Sequence, residues 1–238
     1  MIATVWQLVP VALGVMASPV AVMALIGILL SRHARRNGTA YLSGWVLCSS
    51  VLTVISVIGF DAAGASGAYR QADWVPIVHA VVGAVCLGGA VWTFSRARKV
   101  VARIADARTP AETATATPQL PGLIRSVESY TPPRAFLFGL LVFLSPMNIA
   151  LVAAAGIEIV LADLPLRQSI PTMIGFVVAS AAPVAIPVIT VLARGDGADP
   201  LLERLRSWML RHNGYLSAGI FAAVGVLQIV KAVQGWLA

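Results

Sequence analysis

Residues 136–157 form an uncharged apolar run of about the twenty residues that cross a bilayer, yet its middle reads Ser145-Pro146-Met147-Asn148. Proline has no amide hydrogen, so in a continuous helix Pro146 leaves the carbonyl of Val142, four residues back, without its partner. Hydrocarbon cannot replace it. Backbone broken at membrane depth is tolerated only where protein, side-chain hydroxyls or a water-lined cavity satisfies it. The same interruption occurs near the N-terminus, where the run 9–30 contains Ser18-Pro19 and the carbonyl concerned is that of Val15. The two Ser-Pro steps are therefore expected to face each other inside a helical bundle. Ser18, Pro19, Ser145, Pro146 and Asn148 become the candidates for a polar substrate-binding site at the bilayer midplane, since an amide there must find hydrogen-bond partners.

The rest of the chain fits that setting. With 58% hydrophobic and 11% charged residues and a mean hydropathy of +0.85, it cannot be an ordinary soluble domain. Six runs are long enough to span: 9–30, 40–60, 75–94, 136–157, 170–193 and 215–236, and only the last contains a charged residue, Lys231. The first run has no basic segment before it and continues past any cleavage site, so it reads as a retained helix rather than a signal peptide. Of the 17 basic residues, three lie between the first two runs, seven between the third and fourth and four between the fifth and sixth. The positive-inside rule then places those three connections in the cytoplasm and both termini outside, as a multi-pass protein of the plasma (inner) membrane. In this context a net charge of +7 marks orientation, and no nucleic-acid partner is expected. Cys48 and Cys86 fall inside apolar runs and read as small core residues.

The spans repeat. Gly44-Trp45-Val46 with Ser49 matches Gly175-Phe176-Val177 with Ser180, and Gly83 with Gly89 matches Gly219 with Gly225, in the order of the two Ser-Pro steps. Three spans per unit is an odd number, so the second unit must cross the membrane inverted relative to the first. The fold expected is an all-α integral membrane protein of six transmembrane helices, built as two inverted-topology three-helix repeats. Residues 1–94 form the first and 134–238 the second. Residues 95–133 form a cytoplasmic linker: Thr, Ala and Pro dominate 109–121, and a short amphipathic helix follows over 123–130. Pro183 and Pro187 should kink or unwind the fifth span over one turn.

No catalytic residues stand out. The sequence has no Gly-rich phosphate loop, no His-Glu-x-x-His and no Cys or His pairs at metal-ligand spacing, so neither metal nor cofactor is expected and the chain does not read as an enzyme. On the expected topology Asp61, His79, Glu158 and Lys231 gather toward the outer face, as a polar cluster that could couple transport to protons. His79 reads either as a satisfied structural histidine or as a proton carrier. Lys231 either snorkels to the surface or pairs with an acid such as Glu158.

The segments SPVAVMALIGILLSRHARRNGTAYLSGW and TPPRAFLFGLLVFLSPMNIALVAAAG resemble the GAP family of mycobacterial and actinobacterial membrane proteins, which includes the sulfolipid-1-addressing and peptidoglycolipid-addressing proteins and is grouped with the lysine-exporter superfamily. The resemblance covers nearly the whole chain outside 95–133. It implies a six-helix inverted-repeat protein that assists export of glycolipids to the cell envelope. The family's fourth span usually reads Asn-Pro-Lys-Asn, so only Pro146 and Asn148 carry over. Thiol-carrying relatives place cysteines beside the prolines, where this chain has Ser18 and Ser145, which argues against redox chemistry. The expectation is a transporter-like protein that exports, or helps export, a glycolipid or similar amphipathic molecule. The alternatives are an accessory scaffold for a larger lipid exporter, or an exporter of small metabolites or amino acids. Membrane lipids and a lipid or small-molecule substrate are the expected partners, with a larger lipid exporter and a homodimer left open.

Overall fold

In the computed structural model the described residues are 2–16, 19–29, 33–65, 73–106 and 131–237. They form helices α1 (Ile2–Met16), α2 (Pro19–Leu29), α3 (Ala34–Ala62), α4 (Val75–Asp106), α5 (Pro132–Phe143), α6 (Pro146–Leu161), α7 (Leu166–Arg194) and α8 (Asp199–Leu237), with a 3-10 turn at Gly195–Ala198. Among these residues, α3, α4, α7 and α8 are each long and apolar enough to cross a membrane. Helices α5 and α6 qualify only as a pair, bent by 68° at the break between them, which gives four spans or up to five. The protein is an all-helical, multi-pass membrane protein. Over the run expected as the first span the described residues are helical in α1, of 15 residues, and α2, of 11, on either side of positions 17 and 18, which lie outside the described residues.

Helix boundaries depart from hydropathy in two places. Helix α4 continues past Phe94 to Asp106, so the first part of the stretch expected as linker is helical. Helix α8 begins at Asp199, well before the expected span, and its 39 residues make a rod of about 58 Å against a hydrocarbon layer of about 30 Å. Loss of apolar character marks where lipid ends, not where a helix ends. Arg, Lys, Ala and Leu continue it without penalty. The Thr-Ala-Pro stretch 109–121 and the amphipathic segment 123–130 lie outside the described residues. Helix α7 runs unbroken through Pro171, Pro183 and Pro187, where the sequence suggested a kink or an unwound turn over the last two. Each proline removes a single hydrogen bond, and residues four apart share a face, so the disruption stays on one stripe of the helix.

Of the short helices α6 is the most enclosed, whereas α5 turns Leu137 and Leu141 outward. Ten of the 16 residues of α6 are buried, on nearly every side of the helix, and it packs against α1, α3, α4 and α7. Val11 and Val15 of α1 and Leu25 and Ile28 of α2 join Tyr41, Trp45, Phe143, Leu151 and Val184 in one apolar core. The long helices turn Ile55, Ile58, Val91, Ile174, Val178 and Ile186 outward, as expected where the solvent is lipid.

Two glycines set the closest approach. A β-carbon on Gly44 would run into the carbonyl oxygen of Phe136, and one on Gly139 into that of Tyr41, so the backbones of α3 and α5 touch at two reciprocal points. Along the repeat, Ser49 Oγ donates to the Val46 carbonyl at 3.0 Å and Ser180 Oγ to the Val177 carbonyl at 2.9 Å, the same bond at matched positions. Of the matched glycines, Gly89 and Gly225 are both tightly packed, and the other two pairs differ. Gly44 and Gly83 are in tight contacts, whereas Gly175 and Gly219 face open space.

Gly44→Ala should therefore destabilise the bundle by about 2–3 kcal/mol, the upper part of the usual overpacking range, because backbone rather than a flexible side chain must yield. Gly59→Ala, with nothing within 4 Å, should be neutral or slightly stabilising. Unfolding of the two purified variants in detergent, beside the parent, measures the difference.

Candidate functional site

The described residues place polar groups inside the bundle at two separate levels. The first lies beside the break, whose own Ser145 is half-buried and Pro146 exposed. Ser145 has extended backbone (φ −67°, ψ 145°) and serves as the N-cap of α6, its Oγ accepting from the Asn148 amide at 3.3 Å, with Pro146 in the first turn. Leu144 N–H closes α5 onto the Leu140 carbonyl, and Ile149 N–H opens α6 onto that of Ser145. At the Ser-Pro step one helix ends and another starts, bent by 68° between them. Serine at the cap and proline at the first helical position are the ordinary signals for a start, and here they act inside an apolar run.

Asn148 is 1% exposed, and its Nδ2 has no hydrogen-bond partner. On the neighbouring α3, Trp45 is fully buried with its Nε1 also unpartnered, its ring edge-on to Phe143 at 4.8 Å. Both orphans are donors. A buried N–H without an acceptor costs about 1–3 kcal/mol, so two near one break mark a place suited to an oxygen-rich occupant, water or ligand. On the other broken segment, Pro19 is the first residue of α2, and Tyr41 Oη donates to the Ala21 carbonyl at 3.0 Å, while Ser18 lies outside the described residues.

The second level lies near the C-terminal ends of α6 and α8. Glu158, 4% exposed, accepts a 2.5 Å bond from Lys231 Nζ, whose side chain is 27% exposed. His79 Nδ1 is 3.9 Å from the same Glu158 oxygen and 2.6 Å from Gln228 Oε1. Because that amide oxygen only accepts, Nδ1 carries the ring proton. Of the four residues singled out from sequence, His79, Glu158 and Lys231 come together from α4, α6 and α8. Asp61 stays on the exposed last turn of α3, with no ion pair to the others. Gln228 and Trp45 were not anticipated as polar partners. The clue for Gln228 was an amide three residues before Lys231, on the same face of an apolar helix. Cys48 and Cys86 are free and buried, and no group of three His, Cys, Asp or Glu among the described residues is placed to hold a metal ion.

Lys231→Met leaves the Glu158 carboxylate buried without its cation and should cost about 3 kcal/mol, the low end for a broken buried pair because the lysine end is partly exposed. The double variant Glu158→Gln, Lys231→Met should recover most of that loss. A double-mutant cycle on unfolding midpoints gives the coupling.

Comparison with known proteins bears on the whole of this architecture. No curated protein and no solved structure matches the chain. A family model described as Sap, sulfolipid-1-addressing protein, matches residues 8–234, and so takes in both broken segments, the four long helices and both polar levels. The chain belongs to the sulfolipid-1-addressing protein family.

Proposed function

We propose that this protein moves, or helps move, an amphipathic glycolipid outward across the plasma membrane, as a carrier without enzymatic activity. The observation that carries the reading is a pair of buried N–H donors without an acceptor, Asn148 Nδ2 and Trp45 Nε1, beside the break at Ser145–Pro146. A sugar headgroup bearing hydroxyls, esters or sulfate is rich in acceptors, and the family's name refers to such a lipid. Around this site we read six crossings in two inverted three-helix repeats, with α1 and α2 together as the first crossing. Supporting that reading are the paired Ser-Pro steps and the matching serine bonds at Ser49 and Ser180. The loops rich in arginine then face the cytoplasm and both termini face outward.

A second reading, an accessory scaffold beside a larger lipid exporter, is favoured by the broad apolar surface of α3, α4 and α7. Purified protein in liposomes separates the two. Outward movement of a labelled sulfoglycolipid without other proteins supports the carrier. No movement, with a stable complex to an exporter, supports the scaffold.

Orientation is open to direct labelling. Ala63→Cys should react with an impermeant reagent on intact cells and Thr115→Cys only after permeabilisation, and labelling of the latter in intact cells would overturn the inverted-repeat reading.

The midplane site makes a sharper forecast. Asn148→Leu should abolish lipid movement while leaving the melting temperature unchanged or raised, since the leucine removes an unsatisfied buried donor. An Asn148→Leu protein that still moves lipid normally would remove Asn148 from the site.

A further inference from the structure

Around the break, two unlike sides of the chain lie within a few residues. Leu144 and Ile149, each 44% exposed, and Pro146 face outward, Ser145 is half-buried, and Asn148 is enclosed at 1%. Trp45, fully buried on α3, reaches the end of α5 through Phe143. The break therefore comes to the surface of the bundle within an apolar run, where the solvent is lipid. A molecule dissolved in the bilayer meets it from the side, without crossing the packed core.

Polarity at this level comes without charge. The six apolar runs hold one Asp, Glu, Lys or Arg between them, Lys231, and it is engaged with Glu158 at 2.5 Å. Along the broken segment the nearest charges are Arg134, eleven residues before Ser145, and Glu158, ten residues after Asn148 or about 15 Å of helix. Between proline and asparagine, Met147 is an uncharged thioether whose side chain lies over Gly89 of α4. What an incoming group finds is two N–H donors without acceptors, Asn148 Nδ2 and Trp45 Nε1, and the amide end of α6. A hydroxyl or ester oxygen can accept from these donors and brings no charge into hydrocarbon. A sulfate or phosphate can accept as well, but it would then stand as an unpaired anion at membrane depth, where ionised groups are held by pairing with one another or by water. A helix N-terminus supplies only a fraction of the opposite charge.

We propose that the break binds a neutral glycolipid, entering sideways from the bilayer and held through a hydroxyl or ester oxygen, in preference to an anionic counterpart. The proposal rests on the reading of the break as the binding site and narrows its ligand. The donors select for oxygen acceptors, and the charge-free layer selects against anions. A sulfated lipid can engage the same donors only through its other oxygens, with the sulfate kept at an aqueous boundary.

The test uses the full chain in neutral detergent and two probes, monogalactosyldiacylglycerol and sulfoquinovosyldiacylglycerol. Both carry one hexose on diacylglycerol, and the second adds a sulfonate. With binding read by native mass spectrometry, the parent should hold the galactolipid roughly tenfold more tightly than the sulfonated lipid. Trp45→Phe keeps an aromatic ring beside Phe143 and removes only the donor. This variant and Asn148→Leu should each weaken galactolipid binding about fivefold, as for one lost hydrogen bond, and leave the sulfonated lipid little changed. If Asn148→Leu fails to fold, Trp45→Phe decides alone. Sulfonated lipid bound as tightly as the galactolipid or more so, with either variant weakening both, would overturn the preference for a neutral ligand and leave the break as a binding site. Galactolipid binding that is absent, or that neither variant alters, would overturn that preference and the site together.

Discussion

A peptide group inside a bilayer has no water to turn to, and that constraint arranges this molecule. A helix whose hydrogen-bond ladder is intact can face lipid, and backbone freed at a helix end needs a partner beside it. Helices α3, α4, α7 and α8 turn isoleucine and valine outward, α5 does the same with Leu137 and Leu141, and α6, which starts at the break, is the enclosed one. Ser145 caps α6 and Tyr41 binds a carbonyl in the first turn of α2.

The long helices and the interruption at the Ser-Pro step at 145 were legible in the sequence, because charge-free length and the absence of an amide hydrogen are local properties that no packing can reverse; the enclosure expected for the step was not, since Ser145 is half-buried and Pro146 exposed. What the step does to the chain was less so. Proline inside an apolar run reads as a kink when the run is assumed to be one helix. The serine before it and the asparagine after it, taken as a cap and first turn, read instead as a new helix. The opposite holds at Pro183 and Pro187, where α7 continues as one helix and the two prolines, four residues apart, share a face. Helix ends beyond the membrane were hidden for another reason: hydropathy is blind to a basic helix, so neither the end of α4 at Asp106 nor the start of α8 at Asp199 could be read from it.

The polar cluster shows how far topology alone can carry a site. Placing Asp61, His79, Glu158 and Lys231 near one end of the bundle needed only span boundaries. Which of them meet depended on helix rotation. Asp61 occupies the exposed end of α3, while Glu158 lies well inside α6 with its side chain toward α4 and α8. Gln228 escaped notice because an amide in an apolar helix carries no charge pattern, yet its oxygen fixes the tautomer of His79. The result is a set of groups with unequal freedom: histidine and glutamate are held by packing, and lysine is held mostly by its charge.

Helices α4 and α8 lie side by side as the most extensive pairing in the molecule, keyed where Gly83 meets Ile229, Gly225 meets Leu87 and Gly214 meets Ala97. His79 sits near one end of this pair on α4, and Lys231 near the same end on α8, while the opposite ends, Arg103 and Arg204, project beyond the apolar section. Neither helix has a break along the way. Pinned at three glycine contacts along their length, the two helices form one stiff unit that joins the polar cluster at one end of the bundle to the basic tips at the other.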